Sequence, residues 1–319
     1  MYKKDLIYRY AIAAIILLMA VSAAVAQKKS KAAKPAAQGK AVMWEAVNIE
    51  SLDLFEGPGG DRMRPDLSKI RFIEEEKNGH NTKYRIEDGA GNIWVAKLGR
   101  EAKPETAAVR LLWGLGYKTE INYLVPSITI PGKGTFQNVR LEARPANIER
   151  LEEWKWKDNP FVGTRELQGL KIMMVFMKNW DVLDLQNKVL QVGDEHHYIV
   201  SDLGSTFGRL GNNNLPIIYR LGRKTGSPKH YAKTKLVRRV KDGEVILSYK
   251  GKNRGIFKGI KVDDARWLSD LLNRLSDKQI SDAFRAANYS QADIGLYVRA
   301  VKSKIAELDS AAGDRLASK

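Results

Sequence analysis

Two neighbouring segments decide the fold: Gly169-Leu-Lys-Ile-Met-Met-Val-Phe-Met-Lys-Asn-Trp-Asp-Val-Leu-Asp-Leu-Gln-Asn-Lys188 and, after a short gap, His197-Tyr-Ile-Val-Ser-Asp-Leu-Gly-Ser-Thr-Phe-Gly208. Their pattern predicts an apolar helix, a polar loop, a short buried strand and a second polar loop. The first loop carries Asp181 and Asn187, and the second carries Asp202. Each loop follows a buried element, so both can face one place. Carboxylate and amide oxygens there would suit Mg²⁺, which commonly shares its ligands with a phosphate.

A lysine and a glutamate precede these loops in a strand–helix pair. The segment Ile93–Leu98 has the composition of a strand and contains Lys97. A helix is predicted from Pro104 to Leu115, since proline suits a first turn and apolar residues recur at helical spacing. Glu105 falls in that first turn. The same pattern also fits an ordinary strand lysine and a glutamate that favours the positive end of the helix dipole.

Taken in chain order, these residues resemble the site of the protein-kinase-like superfamily. Trp94-Val-Ala-Lys97 is similar to the V-A-I-K of the third strand, and Asp202-Leu-Gly204 is similar to the D-F-G turn. The surroundings of Asp181 resemble those of atypical members: HipA-type, lipid-kinase-like and secretory-pathway kinases. The resemblance covers roughly residues 70–210.

The resemblance implies an α+β, bilobal kinase-like fold. The N-lobe, residues 41–142, would be small and β-rich with one main helix and would cover the nucleotide. The C-lobe, residues 143–308, would be larger and mostly helical, with a β-hairpin insertion at 235–250 that turns at Asp242-Gly243. We also expect a surface helix and loop over 145–163, and a flexible tail over 309–319.

The resemblance also assigns roles, with Mg²⁺ and ATP as the implied cofactors. Lys97 would hold phosphates, Glu105 would hold Lys97, and Asp181 would accept the proton of the acceptor. The predicted nucleotide contacts are Lys97, Asn78, Gly79 and Glu142, and the predicted metal ligands are Asp202, Asn187 and Gln186.

The sequence departs from the family pattern at two places near Asp181. The pattern D-x-x-x-x-N expects Asn five residues after the aspartate, but Gln186 stands there and Asn187 is one residue further on. The usual basic residue just after the aspartate is absent, because Val182 and Leu183 occupy those positions. Both departures concern the catalytic turnover expected of a kinase more than they concern its fold.

Three functions are therefore compatible with the sequence. The first is an exported kinase-like protein that binds a Mg-nucleotide between its lobes and transfers the γ-phosphoryl group to an unidentified anionic or hydroxyl-bearing acceptor. The second is a catalytically inactive kinase-like binding or scaffold protein of the cell envelope, where ATP is expected to be scarce if the host is bacterial. The third, a basic cell-wall or nucleic-acid binder, leaves the ordered Lys, Glu, Asp, Asp series unexplained, so nucleic acid is the least favoured partner.

Composition limits the choice further. The 319 residues include no cysteine, which excludes a disulfide framework, a thiol nucleophile and a thiolate metal site. The net charge is +17, of which +7 lies in residues 1–40. A basic protein favours anionic partners, although the charge alone is equally compatible with a basic surface of no specific function. H-E-x-x-H, G-x-S-x-G and dinucleotide-binding motifs are missing from the sequence.

The N-terminus has the anatomy of an export signal. Residues 1–10 are basic, 11–25 are apolar, and Ala24-Val25-Ala26 resembles a cleavage site. We expect cleavage after Ala26 and a periplasmic or extracellular location; the alternative is an uncleaved inner-membrane anchor, although the apolar run is short for one. Residues 27–40 are predicted to be a disordered basic linker. Its lysines, from Lys28 to Lys40, could contact an anionic membrane surface or remain solvated.

Overall fold

The computed structural model describes residues 39–77, 82–210 and 223–313. Its helices are α1 Ala102–Gly114, α2 Arg165–Phe176, α3 Pro228–Tyr231, α4 Val262–Asn273, α5 Asp277–Ala286 and α6 Gln291–Gly313. Its strands are β1 Lys40–Val42, β2 Arg71–Glu76, β3 Lys83–Glu87, β4 Ile93–Lys97, β5 Asn122–Ile130, β6 Gly134–Ala143, β7 Ile148–Arg150, β8 Asn187–Val192, β9 Glu195–Val200, β10 Arg209–Leu210, β11 Arg223–Lys224, β12 Val237–Lys241 and β13 Glu244–Leu247.

The β-rich lobe is a five-stranded antiparallel sheet in the order β2-β3-β4-β6-β5. Alternating residues such as Ile86, Trp94 and Leu141 are fully buried and form a core for this sheet, as expected when one face of each strand turns inward. The turn between β3 and β4 is held by Asp88, whose Oδ1 accepts the backbone N–H of Ala90 and Asn92 at 3.0 and 2.8 Å. The strand predicted over Ile93–Leu98 is confirmed as β4.

Helix α1 connects β4 to β5 and joins the sheet to the rest of the molecule. Its apolar residues, among them Ala107, Leu111 and Leu112, belong to the large core formed by the helical lobe. Glu105 and Arg110 are buried on the same helix. The helix therefore packs into both lobes, and it carries a carboxylate into the space where they meet.

The helical lobe is built on α2, α4, α5 and α6, with a second sheet in the order β1-β9-β8-β7. Helix α2 starts where Thr164 Oγ1 accepts the backbone N–H of Leu167 at 3.2 Å, a side-chain cap that satisfies a free donor of the first turn. The predicted β-hairpin is confirmed as β12–β13. The architecture is thus the predicted α+β, bilobal one.

Two expected boundaries between segments need correction. β1 pairs in parallel with β9, and Gln279 donates to the carbonyls of Ile49 and Leu52. Residues 40–52 therefore contact the helical lobe, as well as the segment Leu115–Lys118 that follows α1. At the other end of the chain, helix α6 continues to Gly313, so residues 309–313 are helical instead of belonging to a tail.

The surface helix expected over 145–163 is also wrong. These residues, all of which the structure describes, contain β7 and turns. Trp154 and Trp156 are buried there because both join the main core, where their rings pack edge to face with centroids 4.8 Å apart. Burial of two large aromatic side chains therefore determines the path of this segment.

Some predictions fall outside the described residues. The signal-like segment 1–26 and most of the linker lie there, and so do Asn78 and Gly79. Within residues 39–77, 82–210 and 223–313, no helix is both long enough and apolar enough to cross a membrane.

Candidate active site

Lys97 is the centre of the candidate site. It is the last residue of β4, it is 3% exposed, and its Nζ lies 2.8 Å from Glu105 Oε2 and 3.3 Å from Asp202 Oδ1. Burial by itself lowers the pKa of a lysine, but the carboxylates of Glu105 and Asp202 outweigh it and hold the pKa of Lys97 above its ordinary value. The structure thus brings Asp202, which lies 105 residues after Lys97 in the sequence, to the pair of Lys97 and Glu105.

Asp202 occupies the turn after β9. Its Oδ1 also accepts the backbone N–H of Gly204 at 3.2 Å. Burial opposes its ionisation, yet Lys97 and that backbone N–H hold the pKa of Asp202 below the ordinary value. Gly204 permits a close approach to α1, since a Cβ there would lie 2.7 Å from the Cβ of Glu101. Asp202 is therefore an ionised carboxylate with a side chain that is 40% exposed.

A buried arginine extends this cluster along β6. Arg140 Nε lies 3.2 Å from Glu105 Oε2, and Arg140 Nη2 lies 2.6 Å from Glu142 Oε2. Burial opposes the charge of Arg140, but Glu105 and Glu142 outweigh it and raise its pKa. Glu105 consequently faces two cations, Lys97 and Arg140, and its carboxylate is fixed between them.

More charged side chains continue from Glu142 toward the connection between the lobes. Arg150 Nη1 lies 2.7 Å from Glu120 Oε1 and 3.5 Å from Glu142 Oε1, and Arg144 also pairs with Glu142. Burial and the neighbouring Glu142 carboxylate raise the pKa of Glu120 to about 7. The side chain of Glu142 is thus engaged with arginines, and its contact with a nucleotide stays a prediction.

The loop of Asp181 is shaped by its own residues and by the Asp202 turn. Lys178 has a left-handed backbone, with φ of 57°. Asn179 Oδ1 then accepts the backbone N–H of Asp181 at 2.9 Å, and the backbone N–H of Trp180 donates to Ser205 O at 3.3 Å. The two acidic loops therefore lie side by side, as the sequence predicts.

Asp181 itself has one partner on each carboxylate oxygen. Gln186 Nε2 lies 3.4 Å from its Oδ2, and Lys252 Nζ lies 2.5 Å from its Oδ1. Lys252 comes from a segment about seventy residues further along the chain. The carboxylate is therefore held by a polar side chain on one side and by a cation on the other.

The two predicted amide ligands point in different directions. The backbone carbonyl of Gln186 accepts the backbone N–H groups of Ser201 and Asp202 at 2.8 and 3.4 Å, which places the backbone of Gln186 beside Asp202. Its side-chain Nε2 lies near Asp181. Asn187 begins β8 and is fully buried, and its Nδ2 donates to Trp154 O at 3.0 Å. Of the two candidates, Gln186 therefore lies next to Asp202, whereas Asn187 supports the segment around Trp154.

A cavity of about 180 Å³ opens between the sheet and these loops. Its walls are mostly charged or polar, with Val95 and Leu185 as the apolar exceptions. The lining residues are Glu76, Lys83, Val95, Lys97, Glu105, Arg140, Glu142, Arg144, Arg150, Leu185, Gln186, Lys188, Ser201 and Asp202. Such a cleft, rich in cations beside a few carboxylates, suits a ligand with several phosphates and a bound cation.

The oxygen donors of the site are compatible with the implied Mg²⁺. In the part of the chain that the structure describes, His, Asp and Glu side chains form no group of three or more that could hold a metal ion by itself. Mg²⁺ needs no such group, because it is usually bound through one or two carboxylates together with waters and substrate phosphates. The Asp202 carboxylate and the side-chain amide of Gln186, two residues that both line the cavity, fit that smaller requirement.

Several charged residues of the site were missed from the sequence. Arg140 stands two residues before the predicted Glu142 on β6, so the two side chains share a face, and a charge between the apolar residues Val139 and Leu141 was the available signal. Glu120 and Arg150 lie in short segments that give no such pattern. Lys252 gave no signal either, because only the tertiary fold brings it to Asp181.

Comparison with known proteins assigns no role to the residues of this site. The sequence matches no protein-family model and no curated protein. Among solved structures, it is similar to the Helicobacter pylori proinflammatory kinase CtkA, with 11% identity and a TM-score of 0.49 over 80% of this chain and 99% of that one. At this level the likeness supports no conclusion about this chain.

The fold is bilobal and kinase-like. This conclusion rests on the chain itself: an antiparallel five-stranded sheet, a helix inserted after its third strand, and a buried ion pair between Lys97 of that strand and Glu105 of that helix. The same lysine–glutamate pair must be in place in active protein kinases, together with the aspartate that binds Mg²⁺.

Proposed function

We propose that this protein binds a Mg²⁺–nucleoside triphosphate in the cleft between its lobes and transfers the γ-phosphoryl group to a hydroxyl-bearing acceptor, as an atypical member of the kinase-like superfamily. One observation carries the proposal: Lys97 Nζ lies between Glu105 and Asp202, at 2.8 and 3.3 Å, on the wall of a polar cavity. A lysine held between two carboxylates is oriented before the ligand arrives, which lowers the cost of positioning a phosphate.

Each residue then has a task in the reaction. Lys97 binds phosphate oxygens, while Asp202 and Gln186 would hold Mg²⁺, which supplies positive charge to the phosphates. Asp181 accepts the proton of the acceptor hydroxyl. The acceptor oxygen forms a bond to the γ-phosphorus as the bond from that phosphorus to the bridging oxygen breaks, and the nucleoside diphosphate leaves with the bridging oxygen.

A second candidate keeps the nucleotide site without transfer. It is favoured by the state of the Asp181 loop: Lys252 occupies one oxygen of Asp181, and Asn187 is buried away from the cleft. In that case the chain would be a nucleotide-binding protein whose ligand stabilises an interaction surface. Export to a location outside the cytoplasm, proposed from residues 1–26, would favour this candidate, because ATP is expected to be scarce there if the host is bacterial.

Thermal unfolding with and without Mg²⁺ and ATP tests the nucleotide site. At about 100 times its dissociation constant, a ligand stabilises the folded state by roughly 2.7 kcal/mol. We expect such a stabilisation in the parent protein and its loss in Asp202→Asn. Asp242→Asn, an exposed residue of the β12–β13 turn with a left-handed backbone that asparagine tolerates, is the matched control.

The outcomes separate the two candidates. Absence of any shift in the parent protein would rule out the nucleotide site for both. A shift with phosphate transfer to an acceptor panel would support the kinase, and a shift without transfer would support the binding protein. Export is tested separately by sequencing the N-terminus of secreted material, which should begin within a residue or two of Gln27.

A further inference from the structure

The segment that follows the β12–β13 hairpin lies directly against the Asp181 loop. The backbone N–H of Lys252 donates to Trp180 O at 3.1 Å. The hydroxyl of Tyr249 donates to Lys252 O at 3.0 Å, and the ring of Tyr249 packs on Phe257 with centroids 4.3 Å apart. Lys252 is therefore fixed by its backbone to the residue that precedes Asp181.

A glycine makes this approach possible. A Cβ on Gly251 would lie 2.2 Å from Tyr249 Oη and 3.0 Å from the Cα of Trp180. Real Cβ atoms do not come that close to other atoms without a shift of the surroundings. The absence of a side chain at residue 251 thus favours the close contact of this segment with Trp180 in the Asp181 loop.

The base of the β12–β13 hairpin also contacts the Asp181 loop. Lys178, three residues before Asp181, is 2% exposed and donates through Nζ to Ser248 O at 3.0 Å and also to Lys235 O. Glu307 of α6 accepts the backbone N–H groups of Leu236 and Val237 at 2.8 and 2.9 Å. The hairpin and the Asp181 loop consequently form one connected unit.

The side chain of Lys252 ends at the carboxylate of Asp181. Its Nζ lies 2.5 Å from Oδ1, and the side chain is 40% exposed, so the ammonium group keeps further donors on the solvent side. Gln186, on the other oxygen of Asp181, also lines the cavity of the candidate site. Lys252 is thus connected to that cavity through Asp181 and Gln186. The two residues after Asp181, Val182 and Leu183, provide no cation.

We propose that Lys252 is the residue that contacts the terminal phosphate of the bound nucleotide, supplied from the hairpin segment because the loop itself has no basic residue after Asp181. The proposal rests on the function proposed above. A cation aimed at the place where phosphoryl charge develops stabilises the transition state, because it is already positioned before reaction. Its salt bridge to Asp181 keeps it at that place when the cleft is empty.

Binding of tri- and diphosphate nucleotides to the full-length mature protein tests this role without measuring transfer. Isothermal titration would use the imido analogue of ATP and ADP, each with Mg²⁺. We expect Lys252→Met to weaken binding of the triphosphate on the order of tenfold and to leave ADP unchanged, since one charged contact is lost. Lys252→Arg should keep most of the preference. Lys250→Met, an exposed lysine of the same segment, is the matched control and should behave like the parent.

The outcomes are distinguishable from failure of the nucleotide site itself. If the parent binds neither nucleotide, the proposed function fails and the role of Lys252 falls with it. If the parent binds both and Lys252→Met weakens them equally or not at all, the nucleotide site stands and the role of Lys252 is wrong. In a separate transfer assay with the acceptor panel described above, faster phosphate transfer by Lys252→Met would also overturn the proposal, because Lys252 would then be blocking Asp181.

Discussion

The two sides of the cleft are built in different ways. On the sheet side, Lys97, Glu105 and Arg140 are almost completely buried and hold one another at 2.8 and 3.2 Å. On the loop side, Asp181 and Lys252 are partly exposed, with side chains 20% and 40% accessible, and Lys252 arrives from a distant segment. The sheet side is therefore part of the folded core, whereas the loop side is assembled on its surface.

The difference predicts which property each side controls. Buried charges that lose a partner are costly, because the remaining ion stays away from water without compensation. Exposed ion pairs contribute little to stability, because water screens them. Changes on the sheet side should therefore lower the free energy of unfolding, and changes on the loop side should alter ligand binding while the protein remains folded.

The largest effect is expected for Glu105→Gln. This change leaves Lys97 and Arg140 buried without the carboxylate that lies between them, and we expect the free energy of unfolding to fall by about 3–5 kcal/mol. Urea denaturation measures it. Asp270→Asn, an exposed carboxylate on α4, should change stability by less than about 0.5 kcal/mol. A loss below about 1 kcal/mol for Glu105→Gln would mean that the burial of Lys97 and Arg140 does not depend on the charge of the Glu105 carboxylate.

A smaller, pH-dependent effect is expected at Glu120, which belongs to the same buried cluster. Its pKa in the folded protein is about 7, raised from the ordinary value of 4.5 by burial and by Glu142. The protonated form therefore favours folding; this contribution is complete below pH 4.5 and is lost as the pH rises through 7. Glutamine cannot ionise, so the stability of Glu120→Gln relative to the parent should improve by about 2–3 kcal/mol between pH 5 and pH 8.

Chemical denaturation at several pH values checks this prediction. Glu149→Gln, an exposed residue of β7, serves as the control and should show a constant difference from the parent. If the difference between Glu120→Gln and the parent is equally constant from pH 5 to pH 8, then Glu120 is already ionised at pH 5, with Arg150 as the dominant neighbour. Either result shows whether the stability of the sheet side depends on pH through the Glu120 carboxylate.

The same contrast explains how much could be predicted from the sequence. The strand β4 and the helix that follows it were predictable from local periodicity, because each signal lies within a few residues of the next. The pairing of Lys97 with Glu105 was implied by the resemblance to the kinase-like site. Asp202 was predictable as well, since it follows a short strand that ends in Tyr198-Ile-Val200 and lies two residues before Gly204. These features belong to the sheet side or to the turn that contacts it.

The loop side was less predictable, for a physical reason. Whether Gln186 or Asn187 turns toward the cleft depends on where β8 begins, and a shift of one residue reverses the direction of a strand side chain. Lys252 reaches Asp181 through contacts with Trp180 and Tyr249 that have no counterpart in local sequence. The helix expected over 145–163 failed similarly, because burial of two tryptophans, and not local propensity, determines that segment.

The smallest effects distinguish the two neighbours Gln186 and Asn187. Asn187→Ala removes a buried hydrogen bond and leaves Trp154 O without its partner, so we expect a loss of stability of about 1–2 kcal/mol. Gln186→Ala removes a partly exposed side chain and should change the free energy of unfolding by less than about 0.5 kcal/mol. Urea denaturation of the two variants gives both values, and each variant is the control for the other.

Their effects on the nucleotide should be reversed. Gln186 lies beside Asp202 on the cavity wall, so Gln186→Ala should weaken the Mg²⁺-dependent part of the nucleotide-induced thermal shift. Asn187→Ala should retain that part once its lower starting stability is taken into account, because its side chain is directed at Trp154 O and not at the cleft. Loss of the Mg²⁺-dependent shift in Asn187→Ala, with Gln186→Ala unaffected, would show that β8 begins one residue later when the ligand is bound. The loop side would then rearrange on binding, while the buried sheet side, held by Lys97 and Glu105, would stay in place.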